Sequence, residues 1–181
     1  NVSDARRETG QGESTAGGTE GADDKATVTG AINEGAAFAG FPLGTLDFIA
    51  GGDNFFVEKD DDGTLAPGSY GTVRGRKDAV IHISSGEYFM HILKLDGEAK
   101  LMVDASARPV TLNVTDVLTF RKDSQIMITN GTSRDLFINY RGMEVAEFGN
   151  GSKHQGAVNA PNARVKIGSR ASFLGSICAK A

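Results

Sequence analysis

Short apolar pairs recur along this chain at a nearly constant interval, and they recur in phase. Ile81/Ile83, Leu101/Val103 and Ile126/Ile128 repeat one pattern of alternating apolar residues, 20 and then 25 positions apart. Phe89, Leu112 and Ile138 follow at intervals of 23 and 26, and Leu95, Leu118 and Val145 at 23 and 27. Three short strands recurring together in this way predict a β-solenoid. Each inward residue stacks on its equivalent one coil away, and the stack becomes a continuous apolar column. The clearest self-match aligns His154–Ala160 with Phe173–Ala179 at a period of 19. An antiparallel sandwich also uses many short strands, but it does not require matches that stay in phase. Hairpin turns of the Asn-Gly or Asp-Gly kind with symmetric flanks occur only near Asn130-Gly131.

Composition favours strands over helices. Glycine supplies 24 of the 181 residues, Trp is absent and only four prolines occur. The strands predicted after residue 64 are Ala79–Ser84, Tyr88–Leu95, Lys100–Asp104, Val110–Val114, Val117–Arg121, Gln125–Thr129, Leu136–Tyr140, Val145–Phe148, Gly156–Ala160, Arg164–Gly168 and Phe173–Ala179. Gly, Asp, Ser or Asn separates them, and none sustains a helical period beyond two turns. The expected fold class is all-β: a parallel β-helix of about five coils over residues 64–181. Residues 38–63 hold a Gly-interrupted cluster of Phe38, Phe41, Leu43, Leu46, Phe48 and Ile49, then a strand at 54–57 and a turn at Asp60-Asp61-Asp62-Gly63. They are expected to form a cap or first coil.

Residues 1–37 contain no aromatic residue and are rich in Gly, Ser, Thr, Ala and Glu. Such a segment cannot bury enough apolar surface to offset the entropy of ordering its backbone. It is expected to be an extended arm, ordered most simply by a neighbouring subunit. Ala26, Thr27, Val28 and Thr29 form a strand-like run suited to docking on an edge. Phe173, Ile177 and Lys180, in or beside the final strand, are also expected at an inter-subunit contact. That strand stops at Lys180-Ala181, so the reading expects no cap beyond it.

Charge is graded along the chain. Residues 1–37 hold three cations and seven anions, residues 38–120 seven and twelve, and residues 121–181 nine and four. No block combines clustered Lys/Arg with interleaved aromatics, which disfavours nucleic acid as a partner. No stretch approaches the ~20 apolar residues of a membrane-spanning helix. The chain opens at Asn1 without a basic-then-apolar leader, the pattern of a processed or excised segment. A single cysteine, Cys178, leaves no internal disulfide and no multi-Cys metal site. Asn-x-Ser/Thr triplets stand at Asn1, Asn113, Asn130 and Asn150, where chance occurrence in an Asn- and Thr-rich β protein is the plainer reading.

The run Leu65-Ala66-Pro67-Gly68-Ser69-Tyr70-Gly71, followed by Ser85-Gly86-Glu87-Tyr88-Phe89, resembles phrases of a family of secreted bacterial β-helical proteins. Gly156-Ala157-Val158-Asn159-Ala160-Pro161-Asn162-Ala163, with Val165 and Ile167, is similar to the "GxxYAPNAxVxI" signature of the PilX-like, pilus-associated surface proteins. Asn159 stands where that family often has an aromatic residue. The resemblance covers residues 64–181 and implies an extracellular parallel β-helix, right-handed, with a structural or adhesive role and no catalytic residues to carry over.

A β-helix also raises the possibility of polysaccharide cleavage, which needs carboxylates converging at one spot. The outward column expected from the period is His82, Met102, Met127 and Lys166, which contains no carboxylate. Asp104 is expected near Thr129, and Asp96 near Thr119, so neither forms an acidic pair. The same column is no threonine ladder. Asp60-Asp61-Asp62-Gly63 with Glu58 lacks the alternating pattern of a calcium loop, and His82, His91 and His154 fall in different coils without metal-ligand spacing. Gly149-Asn150-Gly151-Ser152-Lys153 lacks the Gly-Lys-Ser/Thr order of a phosphate loop. Cys178 is expected to be a small core residue. No catalytic, cofactor or metal site is therefore expected. A short solenoid exposes two unpaired ends, which natural solenoids cap or stack. The expectation is a structural subunit that stacks head-to-tail on copies of itself in an extracellular filament or surface assembly, its arm lying on a neighbour. The alternatives are a monomeric cell-surface adhesin binding glycan or protein, and a cytosolic bactofilin-like polymer.

Overall fold

The computed structural model describes residues 27–29, 32–34 and 50–180, and among these no helix occurs. The arm contributes β1 (Thr27–Thr29) and β2 (Ile32–Glu34). The main body opens with β3 (Phe55–Val57), β4 (Asp62–Leu65) and β5 (Gly68–Gly75), followed by β6 (Val80–Ser84), β7 (Gly86–Leu95), β8 (Lys100–Asp104) and β9 (Val110–Phe120). Then come β10 (Gln125–Thr129), β11 (Leu136–Tyr140), β12 (Ala146–Phe148), β13 (Lys153–Ala160), β14 (Val165–Ile167) and β15 (Ser172–Ala179).

Every described strand pairing is parallel, and the strands stack into three faces. The first face holds β4, β6, β8, β10 and the opening halves of β13 and β15. The second holds the opening halves of β5, β7 and β9, then β11 and the closing halves of β13 and β15. The third holds β3, the closing halves of β5, β7 and β9, then β12 and β14. The architecture is the expected parallel β-helix, with five complete coils and two faces of a sixth supplied by β15. Strands of the solenoid begin at Phe55, ahead of residue 64. Residues 38–49 lie outside the described residues.

The apolar columns expected on the first face are present: Ile81, Leu101 and Ile126 share one register, and Ile83, Val103 and Ile128 another. The other two columns are displaced from the expected register. Tyr88, not Phe89, stands level with Leu112 and Ile138. Leu93, not Leu95, stands level with Leu118, and Leu95 faces Phe120. A bulge sets Thr115 and Asp116 against His91 there and shifts the register between the two faces. Val145 is exposed and Ala146 takes the buried place, because Phe148 rather than Val145 anchors that strand on Phe120.

One turn joins the third face to the first in each successive coil. Its third residue is left-handed in every case: Asp60, Asp78, Glu98, Asp123, Gly151 and Arg170, with φ between 58° and 69°. The residue after it donates its N–H back three positions, as in Ala79 N–H to Arg76 O at 3.0 Å and Ser124 N–H to Arg121 O at 3.1 Å. The turns also bond to one another, as in Glu98 N–H to Lys122 O at 3.0 Å. Asp60 is thus the turn residue, while Asp62 and Gly63 already belong to β4, and this corrects the expectation of a turn across all four residues. The Gly-x-Tyr phrases have a separate task at the corner between the first two faces. Tyr70 donates to Ala66 O at 2.7 Å, and Tyr88 donates to Ser84 O at 2.8 Å. Burial pushes both phenols above their ordinary pKa, so they remain donors.

Candidate functional site

The described solenoid ends on β15. Phe173 and Ile177 point inward from it, 2% and 4% exposed, and Phe173 meets Phe148 edge-on at 5.6 Å. The outer edge of this strand would present unpaired N–H and C=O groups, but β1 and β2 lie along it. Thr27, Val28 and Thr29 pair with Ser172, Phe173 and Leu174, and Ile32, Asn33 and Glu34 pair with Ile177, Cys178 and Ala179. A single offset of 145 residues runs through both strands. In the same manner β15 lies on β13 at a single offset of 19.

The sequence of the arm explains the fit. Gly30-Ala31-Ile32-Asn33 repeats the grammar of Gly156-Ala157-Val158-Asn159 and Gly175-Ser176-Ile177-Cys178. In the two solenoid copies the glycine turns the corner between the first and second faces, with φ of 129° at Gly156 and 150° at Gly175. A Cβ on Gly175 would collide with the Gly156 carbonyl oxygen. These two corners therefore stack backbone on backbone, and only glycine fits at Gly175, whereas Val110 and Leu136 hold the same register position in earlier coils.

Of the expected contact residues, Thr27, Val28 and Thr29 lie on the edge of β15, and Ala26 lies outside the described residues. Phe173 and Ile177 are core residues whose backbones receive the arm. Lys180 is exposed just past β15, and its N–H donates to Ala160 O at 3.2 Å and Ala163 O at 3.0 Å. Within the single chain, the arm on this edge is its own. Ile32, Asn33 and Glu34 escaped the sequence reading, although the Gly-Ala-Ile-Asn match was the signal that could have found them.

Electrostatics distinguish the two ends. Residues 50–65 carry five carboxylates and one lysine, whereas residues 153–180 carry five cations and no carboxylate. From β3 to β15 sequence order follows height in the solenoid, so these charges sit at its opposite ends, while β1 and β2, with Glu34, lie out of that order at the basic end.

The other candidate groups are dispersed. His82, Met102 and Met127 stand in register on the first face as expected, but the column continues toward Gln155 and Leu174. Lys166 belongs to the third face, opposite Glu147. Asp104 stands level with Thr129. Hydrogen bonds from Ser106 and from Asn130 hold its carboxyl below the usual range, which suits it to accepting bonds rather than donating a proton. Lys94, not Asp96, stands level with Thr119, and Asp96 lies two positions further on, in the turn. Arg74 bonds it at 2.5 Å, and Arg121 approaches to 3.5 Å. A column of carboxylates that the sequence reading missed runs along the left-handed turn positions, through Asp78, Glu98 and Asp123. It lines an open groove of about 310 Å³. Lys77 reaches both Asp78 and Glu98 at 3.5 Å, and Lys122 reaches Asp123 at 3.6 Å, so the column is an interleaved charge ladder.

Among the described residues, no group of three or more His, Cys, Asp or Glu could hold a metal ion. Asn113 is buried and accepts a hydrogen bond from Asn139 Nδ2 at 3.0 Å. Asn139 and Asn159 share its register, and the burial of Asn113 leaves no room for a glycan on the folded solenoid. His154 is enclosed by Phe120 and Phe148, with ring centroids 4.9 and 4.8 Å away, and neither ring nitrogen has a hydrogen-bond partner. Burial lowers its pKa to about 3. Comparison with known proteins finds no matching family model, no similar curated protein and no similar solved structure.

Proposed function

We propose that this protein is a structural subunit that stacks head-to-tail through the ends of its β-helix, forming a filament or surface assembly outside the cell. The observation that carries this reading is the polarity of the solenoid. An acidic end and a basic end on one rigid body attract when copies meet in the same orientation and repel when like ends meet. Such a heterologous contact propagates rather than closing, unless the rotation between copies forms a ring. The capped edge of β15 adds that this end accepts strands, and the arm of a neighbour is the proposed occupant in the assembly. The likeness to secreted, pilus-associated β-helical proteins supports the extracellular placement. The carboxylates of the turn column are paired with Lys77 and Lys122, and Asp96 with Arg74 and Arg121, which supports a structural rather than a catalytic role.

Negative-stain microscopy of the full chain, at rising concentration in low and high salt, tests the proposal. Elongated, end-stacked particles that shorten as salt rises are the expected result. Single particles of one size under every condition would overturn it.

A further inference from the structure

We propose that the outer edge of β15 is a strand acceptor selective for the segment Thr27–Glu34, that a lone chain fills it with its own arm, and that the arm of a second copy replaces it on stacking. This rests on the head-to-tail reading and identifies the partner and the means by which an unstacked copy is held in reserve.

Three observations carry the inference. The segment is written as a rung of the C-terminal kind, with Gly30-Ala31-Ile32-Asn33 beside Gly156-Ala157-Val158-Asn159. A Cβ at the Gly175 corner of β15 has no room against Gly156, and the segment carries its own glycine, Gly30, at the matching sequence position. The register is continuous over both strands without a slip.

The order of the strands adds to these three. In each coil the chain visits the first face, then the second, then the third. β1 occupies the first face and β2 the second, and the next described strand in sequence, β3, lies on the third. The arm and β3 are thus consecutive parts of one rung, yet within a single chain they sit at opposite ends of the solenoid. Seven strand spacings of ~4.8 Å separate those ends by roughly 34 Å. The roughly 20 residues between Glu34 and Phe55 can span at most ~70 Å, so a chain can reach its own edge. In a head-to-tail stack the donor's β1 and β2 instead lie beside the donor's own β3, and the solenoid passes from copy to copy without a break. The strand contacts are the same in both arrangements. Exchange is therefore a domain swap governed by concentration and by the contact between ends. Until it occurs, the self-docked arm covers a strand edge that would otherwise recruit partners indiscriminately.

The pairing of Asn33 with Cys178 supplies a direct test with the full chain. Paired strand neighbours ~4.8 Å apart lie within the ~4.4–6.8 Å Cα separation that a disulfide accepts. A donor carrying Asn33→Cys and Cys178→Ser is mixed with wild-type chain, whose only thiol is Cys178, under mild oxidation. A disulfide linking the two chains through positions 33 and 178 requires exchange. Its yield is expected to rise about tenfold for a tenfold rise in concentration while exchange is limiting, and to vanish when the donor also carries Gly30→Val. A companion variant, Asn33→Cys with Cys178 retained, reports the self-docked state as a disulfide within one chain.

Closure of the companion variant within single chains, with no mixed disulfide at any concentration, would overturn exchange and leave a permanent cap. Absence of both disulfides would overturn the acceptor itself. Filaments in microscopy without mixed disulfides would leave head-to-tail stacking intact and remove the swap. Mixed disulfides in dimers that never extend would support the swap and remove the filament.

Discussion

His154 shows how a single side chain can be tolerated in a column built for apolar residues. It occupies an inward position of the first face, where Phe173 lies on the adjoining rung, and the surrounding phenylalanine rings offer its nitrogens no partner. The neutral ring is accepted because it packs as a flat aromatic, whereas the imidazolium would be stranded in an apolar cage. Its folded pKa of about 3 lies below the ordinary value of 6.5. The unfolded chain therefore takes up a proton near pH 6.5 that the folded chain refuses. The associated stability is complete above pH 6.5 and is lost as the pH falls toward 3, by up to about 5 kcal/mol in total. Chemical unfolding between pH 7.5 and 4 should show a steep loss in the wild type and a shallower one in His154→Leu. Parallel profiles for the two proteins would rule out His154 as the source. The alignment of His154–Ala160 with Phe173–Ala179 sets this histidine beside Phe173, a signal of an inward position that histidine's polarity in sequence obscured.

At the scale of the element, repetition decides what is legible. The turn between the third and first faces is rebuilt in every coil from a left-handed residue and, in each coil after Asp60-Asp61, a following small one, as in Asp78-Ala79 and Glu98-Ala99. Asp and Glu at those positions resemble ordinary loop residues in sequence, so the charge ladder they form stayed hidden until the coils were stacked. Registers on the second and third faces also escaped, by one or two residues. Tyr88 and Phe89 are equally apolar to a periodicity argument, and only the Tyr88 hydroxyl bond to Ser84 shows which of them turns inward. The arm is the element whose placement matters most. Ile32 shares the register of the buried Ile177, so Ile32→Asp should dislodge β2. Amide hydrogen exchange along Leu174–Ala179 should then accelerate at least about tenfold, the equivalent of about 1.4 kcal/mol of lost local stability. Unchanged protection would show that β15 holds its edge without the arm.

For the whole molecule, the graded charge becomes a vector. In an unfolded chain the gradient has no direction in space, whereas from β3 to β15 the solenoid lays it out along the stacking axis, the arm on β15 standing outside that order. Reversing it at one end with Lys153→Glu and Arg170→Glu, both exposed, should slow association at low ionic strength by about tenfold. The difference from wild type should disappear near 1 M salt, where the screening length falls to ~3 Å. Equal association rates at low salt would remove charge as the orienting force. The sequence by itself determined the all-β class, the parallel coils and the first apolar column. Stacked rungs demand like residues at like heights, and that demand is written as a one-dimensional period along the chain. Only the tertiary structure decided the exact registers, the carboxylate column and the site of the arm. Those depend on how coils of unequal length close, and on a contact between segments 145 residues apart, which no local periodicity encodes.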